Sequence, residues 1–336
     1  FKGATQATGF TVAPMVGATV VRGLTFTTAN DAPERDPVAF ELYGSNESID
    51  GPFELIAAGD IVDFAAEEAW PRFTQNATPI EFVNTVAYAY YRVLFTAVRD
   101  AASANSMQIA EVELIGVPAL YVLFAEDFEG LPLGPNVDEV VAGEAVWTKT
   151  APEGWVIDDS GMPGVGDPAM DGVTEWAGWS FADKDWWVQA AEDQDRSTFT
   201  LGTGIVAIAD ADEWDDIDHA EGWYDSFLST PAIDLTGVEA TMLQLRFASS
   251  WRPEFDNDYH QTAKIMVSFD GGEPVEVLLW ESDESSPNYK PYATNESVAV
   301  GIRKPAGAQN MVVTFGLVEA GNDWWWAIDN VEIAYY

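Results

Sequence analysis

The densest acid run in the chain is Ala209-Asp210-Ala211-Asp212-Glu213-Trp214-Asp215-Asp216-Ile217-Asp218-His219-Ala220-Glu221. Carboxylates at this density suit calcium, a hard cation that takes about six to eight oxygen ligands. Aligned as an EF-hand loop from Asp210, Asp212 falls at position 3, Asp216 at 7, Asp218 at 9 and Glu221 at 12. Trp214 then occupies position 5 and Asp215 position 6, where the sharp turn needs glycine. The run fails as an EF-hand. Two readings remain: a looser calcium loop with Asp210, Asp212, Asp216 and Asp218 as ligands, or a solvated acidic loop.

Tryptophan is the second chemistry-bearing residue type. Thirteen of the 14 lie beyond residue 118. Trp176, Trp179, Trp186, Trp187, Trp214 and Trp223 are the candidate ligand-binding residues, because flat exposed indoles suit the C–H faces of pyranose rings. The same rings also suit a protein partner, since Trp anchors hot spots. In a strand, Trp324 and Trp326 share one face and Trp325 takes the other. The alternative is a large aromatic core with the segment 147–221 folded over it.

Covalent chemistry has little to work with. There is no Cys, no Gly-x-Ser-x-Gly, no Walker glycine loop and no His-Glu-x-x-His. No catalytic residue is assigned. With 56 acids, pairs spaced for glycosidase chemistry arise by chance.

The 336 residues carry 56 Asp+Glu against 15 Lys+Arg, a formal net charge of −41. That balance excludes nucleic acid as a partner, because phosphate binding needs clustered Lys and Arg. Anionic membrane surfaces are disfavoured for the same reason. No run reaches the roughly 18–20 apolar residues of a membrane span, so no membrane insertion is expected. Surplus acid with few lysines suits a saline or calcium-rich exterior, extracellular or at the cell surface. The chain opens on Phe1-Lys2-Gly3 and reads as a mature or trimmed fragment.

The elements that must position these residues are strands. Thr19–Phe26, Tyr88–Phe95, Met242–Phe247, Lys264–Phe269 and Met311–Phe315 are β-branched or alternate, with turns such as Asp270-Gly271-Gly272 between them. One short helix is expected within Asp60–Trp70. Composition shifts near residue 118: 15 acids and 6 bases before it, 41 and 9 after. The fold class is therefore all-β, with two tandem β-sandwich (jelly-roll) domains at about 1–118 and 121–336 and a Trp- and Asp-rich insertion at about 147–221.

In the first half, Asp36-Pro37 with Phe40-Glu41-Leu42-Tyr43-Gly44-Ser45-Asn46, then Tyr91-Arg92-Val93-Leu94-Phe95, then Gln108-Ile109-Ala110-Glu111-Val112-Glu113-Leu114-Ile115-Gly116 fall in one order. This pattern resembles a discoidin-like (coagulation-factor C-type) domain of the galactose-binding-like fold. The resemblance implies a structural calcium held by the Asn30–Asp36 loop and the closing strand, with Asp31, Asp36 and Glu111 as ligands. The alternative is a turn whose acids pair with Arg35.

In the second half, Glu126-Asp127-Phe128-Glu129 opens the domain and Leu228-Ser229-Thr230-Pro231-Ala232-Ile233-Asp234-Leu235 stands at its centre. Ser268-Phe269-Asp270-Gly271-Gly272 and Trp326-Ala327-Ile328-Asp329-Asn330-Val331 complete the order. This is similar to the MAM-like and cleaved-adhesin jelly rolls of secreted bacterial proteins. The resemblance implies that first and last strands lie side by side and that Asp127, Glu129 and Asp329 hold calcium; strand alternation would project Asp127 and Glu129 to one face, and the alternative is a set of solvated edge acids.

The function expected is non-catalytic extracellular binding, braced by calcium, to a polysaccharide or other glycan. Two alternatives stay open. One is a structural subunit of a surface layer, sheath or filament that self-associates, or meets a cell-surface protein, through Trp-rich faces. The other is a secreted hydrolase using carboxylates.

Overall fold

The computed structural model describes residues 7–137, 145–256 and 259–336, without the side chains of 168 and 169. Two compact units result, one within Phe1–Leu120 and one spanning Tyr121–Tyr335. Both are built from antiparallel strands, so the chain is all-β.

The first unit pairs a four-stranded sheet, in the order Thr8–Val12, Tyr90–Val98, Pro37–Ser45, Glu54–Asp60, with a three-stranded sheet of Ile80–Glu81, Thr19–Thr27 and Glu111–Pro118. Alternation places Tyr91, Val93 and Phe95 inward from one sheet and Leu24 and Phe26 inward from the other. Phe26 meets Phe40 at 5.6 Å and Phe95 at 5.9 Å, ring centre to ring centre, so the two inner faces form one core. Each such ring contributes roughly 2–3 kcal/mol by leaving water. The helix expected near Asp60–Trp70 is a single turn, Val62–Ala65. It stops because Ala66 is extended (φ −55°, ψ 155°), so the Ala66–Ala69 stretch is not helical. The turn is pinned by the buried Phe64 ring and by Asp63, whose carboxylate accepts the Ala77 N–H at 2.7 Å.

The second unit stacks a six-stranded on a seven-stranded sheet. The six-stranded sheet runs Val156–Asp158, Tyr224–Ser229, Asn310–Ala320, Thr262–Phe269, Val275–Glu281, with Ile233–Asp234 also on Asn310–Ala320. The seven-stranded sheet runs Ala293–Arg303, Met242–Trp251, Trp325–Tyr335, Ile205–Asp210, Ser180–Asp183, Trp147–Thr148, with Tyr121–Glu126 added on Trp325–Tyr335. Phe247 of one sheet meets Phe315 of the other edge-on at 5.5 Å, which marks the core between them.

The seven-stranded sheet is buried on both faces, and this decides where the tryptophans go. Trp326 points into the core, 5.9 Å from Phe315 and 5.6 Å from Trp179. Trp325, on the opposite face, meets Trp187 at 5.8 Å. Trp187 belongs to the helix Lys184–Ala190, so the insertion roofs the outer face. Ile205–Asp210, lying between, is buried at every residue, as expected of a strand covered on both sides. Trp176 stacks on Trp186 at 5.4 Å and Trp214 meets Tyr224 at 5.5 Å.

This corrects the expectation of a tryptophan platform. Trp176, Trp179, Trp186, Trp187 and Trp214 are interior and cannot stack on a ligand; Trp223, 49% exposed, is the one member of the set at the surface. Among the described residues no helix is long and apolar enough to cross a membrane.

Candidate functional site

Three groups of acids were expected to hold calcium, and the structure treats each differently. The first is the run at 210–218. Among the described residues, Asp210, Asp212 and Glu213 form the only trio of acidic side chains with carboxylate oxygens within 4.8 Å of one another. Asp210 ends a buried strand and caps the one-turn helix Ala211–Trp214, accepting the Glu213 N–H at 3.3 Å. The fully buried Arg196 guanidinium fills the trio. It donates to Asp210 at 3.0 and 3.1 Å, to Asp212 at 3.1 Å and to Glu213 at 3.1 Å. It also lies 4.2 Å over the Trp325 ring. An internal cation therefore occupies the place assigned to calcium at Asp210 and Asp212, while Asp216 and Asp218 are exposed. One guanidinium does not balance three acids. Burial, then the charge of Asp210, pushes the Glu213 carboxyl up to about 9.

The second group is the Asn30–Asp36 loop. Asp36 is buried, and Arg72 binds both its carboxylate oxygens at 2.5 and 2.7 Å. The Gln108 amide donates to the Asp31 and Ala32 carbonyls. Asp31 and Glu111 are exposed, Glu111 opposite Thr27 in the strand pair. The basic partner of the loop's buried acid is Arg72 rather than Arg35.

The third group has no basic partner. The opening strand Tyr121–Glu126 runs antiparallel to Trp325–Tyr335, with Glu126 opposite Val331 and Tyr121 opposite Tyr335. That pairing brings the turn after Glu126 beside Asp329. Asp127 and Glu129 lie past the strand's end, so strand alternation is not what aims them. Phe128, at φ +59°, turns the chain and buries its ring against Phe181 at 5.2 Å. Asp329 is 1% exposed; it accepts the Thr203 N–H at 3.0 Å and the Asn330 N–H at 2.6 Å. Glu129 accepts the Ile205 N–H at 3.3 Å. Its carboxylate lies where a Cβ would stand on Gly204, whose φ of +57° also favours glycine.

A cleft of about 270 Å³ opens beside them, lined by Ala125, Glu126, Asp127, Asn330, Val331 and Glu332. Burial, then the charges of Glu129 and Asp127, pushes the Asp329 carboxyl up to about 7 against the two N–H bonds. None of the ion pairs among the described residues involves Asp127, Glu129 or Asp329. The charges of Glu129 and Asp127 reach Asp329, and none of the three has a basic partner among the described residues, but their carboxylate oxygens do not all come within 4.8 Å of one another; a hard cation here would have to draw them together.

Arg196 went unassigned in the sequence. The signal available was composition: it is the sole Lys or Arg between Lys184 and Arg246. A lone base in so acidic a segment is a natural counter-ion.

No family model matches the chain, and no curated protein matches it. Among solved structures, the chain is similar to the K1 cleaved adhesin domain of Lys-gingipain from Porphyromonas gingivalis, at 16% identity over 62% of this chain and 96% of that one, TM-score 0.35. The K3 cleaved adhesin domain of the same protein matches at 16% identity over 63% and 98%, TM-score 0.33. The tandem CBM22 domains of Xyn10C from Paenibacillus barcinonensis match at 10% identity over 97% and 80%, TM-score 0.27.

Proposed function

We propose that the chain is a non-catalytic binding protein of the cell exterior, braced by calcium at Asp127, Glu129 and Asp329, whose ligand is a polysaccharide. The observation that carries the calcium is a contrast in countercharge. Asp36 has Arg72 and Asp210 has Arg196, while the acids at the junction of first and last strands have no base among the described residues. A cation there would tie the first strand of the second unit to its last. Calcium sites of extracellular modules fill at about 10⁻⁴–10⁻³ M, and the exterior location predicts an affinity in that range here.

A hydrolase reading has its best constellation in Lys149, Asp159 and Ser226. Lys149 pairs with Asp159 at 2.8 Å, and the Ser226 hydroxyl donates to Asp159. But Ser226 is fully buried and accepts the Trp179 N–H at 2.9 Å. The set braces the interior and meets no substrate. A subunit assembling through Trp-rich faces loses most of its premise, because of those candidate rings only Trp223 reaches the surface. The test is a broad glycan array in millimolar calcium with an EDTA control. Specific binding that EDTA removes is expected; silence from a folded protein overturns the polysaccharide reading, and binding that persists in EDTA overturns the brace.

A further inference from the structure

A groove of about 440 Å³ lies in the second unit between Pro253-Glu254-Phe255 and Ser282-Asp283-Glu284-Ser285, with Tyr289 on its wall. Phe255 is 44% exposed, and its ring is held edge-on against His260 at 5.4 Å. Its posture is therefore set before any ligand arrives. Tyr289 is half-buried, with its hydroxyl 3.5 Å from Glu284.

Ser282 lines the same groove at 4% exposure, and its Oγ has no hydrogen-bond partner among the described residues. A buried hydroxyl left unmade costs about 1–3 kcal/mol, which calls for a reason. Gln261 fastens the two walls: its Oε1 accepts the Glu254 N–H at 2.9 Å and its carbonyl accepts the Ser282 N–H at 3.1 Å. Its buried Nε2 is also unpartnered among the described residues.

We propose that this groove is a saccharide subsite taking neutral pyranose units, with sugar C–H faces on Phe255 and Tyr289 and sugar hydroxyls bonded to Ser282 Oγ and the Glu254 and Glu284 carboxylates. This rests on the polysaccharide reading above and gives it a location. A volume in the 300–1,000 Å³ range of small-ligand sites, aromatic walls and a few fixed polar groups are the features such sites share. Three rim acids on a chain of net charge −41 repel uronate and sulfate groups, so the ligand is neutral. Acidity alone would also suit a basic peptide, but acidity is general to this chain. The groove's own mark is the buried Ser282 hydroxyl on its lining, which has neither donor nor acceptor among the described residues. A sugar hydroxyl both accepts and donates, whereas an ammonium accepts nothing.

The test compares the intact chain with Phe255→Ala and Ser282→Ala on a glycan array in millimolar calcium, each followed by calorimetry on the strongest neutral hit. Phe255→Ala is expected to weaken binding about tenfold or more. Ser282→Ala is expected to weaken it about threefold to tenfold while leaving the melting temperature unchanged or higher, since the hydroxyl has no protein bond to lose. A neutral hit that both variants bind as tightly as the intact chain overturns the groove and leaves the polysaccharide reading standing. Silence of the folded intact chain across the array overturns both. Hits confined to anionic glycans overturn neutrality, and pentalysine binding that Glu254→Gln weakens, with no glycan bound, makes the groove a peptide site instead.

Discussion

Replacing Arg196 with methionine should cost the second unit about 5 kcal/mol. The guanidinium is fully buried and its nitrogens reach three carboxylates at 3.0–3.1 Å, the Ala191 carbonyl at 3.1 Å and Gln194 at 3.0 Å. Methionine keeps much of the volume but leaves Asp210 buried, with the Trp187 indole N–H at 2.8 Å and the Glu213 N–H at 3.3 Å as its remaining donors among the described residues. Breaking one side of a buried pair costs about 3–5 kcal/mol. Losing the cation over Trp325 adds about 1–2 kcal/mol. For a unit of about 200 residues, that sum lowers the melting temperature by about 10–20 °C. Tryptophan fluorescence during urea unfolding isolates this unit, because 13 of the 14 indoles belong to it. The double variant Arg196→Met/Asp210→Asn should recover more than half of the loss, since removing both charges of a buried pair is far milder than removing one. A single variant within about 1 kcal/mol of the parent, or a double variant no better than the single, would refute the countercharge argument on which the assignment of calcium to the other acid cluster depends.

Three further outcomes are expected. Calcium at about 100 times its Kd should stabilise the parent by about 2.7 kcal/mol, and Asp329→Asn or Gly204→Ala should abolish that increment in calorimetry; an undiminished increment places the ion elsewhere. Burial, then the charges of Asp256, Glu254 and Asp215, raises the Asp323 carboxyl from 3.8 to about 7. The folded state thus binds the proton more tightly than the unfolded chain, and stability falls as pH rises through this window. In EDTA the advantage of Asp323→Asn over the parent should therefore grow by about 2 kcal/mol between pH 5.5 and 8; parallel pH profiles contradict this. Trp179→Ala should lower stability by about 3–5 kcal/mol before it affects binding by the folded fraction; a stable variant that has lost glycan binding would return the indoles to the surface.

The all-β class was legible because alternation is local. Met242–Phe247 and Met311–Phe315 state their period within six residues, and each is a strand of the second unit. The pairing of Tyr121–Glu126 with Trp325–Tyr335 joins opposite ends of that unit, and only the resemblance anticipated it. Alternation tells which residues share a face of a strand, but it does not tell whether that face meets water. Trp325 and Trp326 take opposite faces as expected, and both are buried because Lys184–Ala190 and Arg196 roof the outer one. Countercharge is non-local in the same way: Arg72 lies 36 residues from Asp36 and Arg196 lies 14 from Asp210. Residue type alone thus marked the acids without ranking them. Which acids have an arginine, and which have no basic partner among the described residues, was decided by tertiary structure, because a carboxylate's surroundings are set by segments distant in the chain.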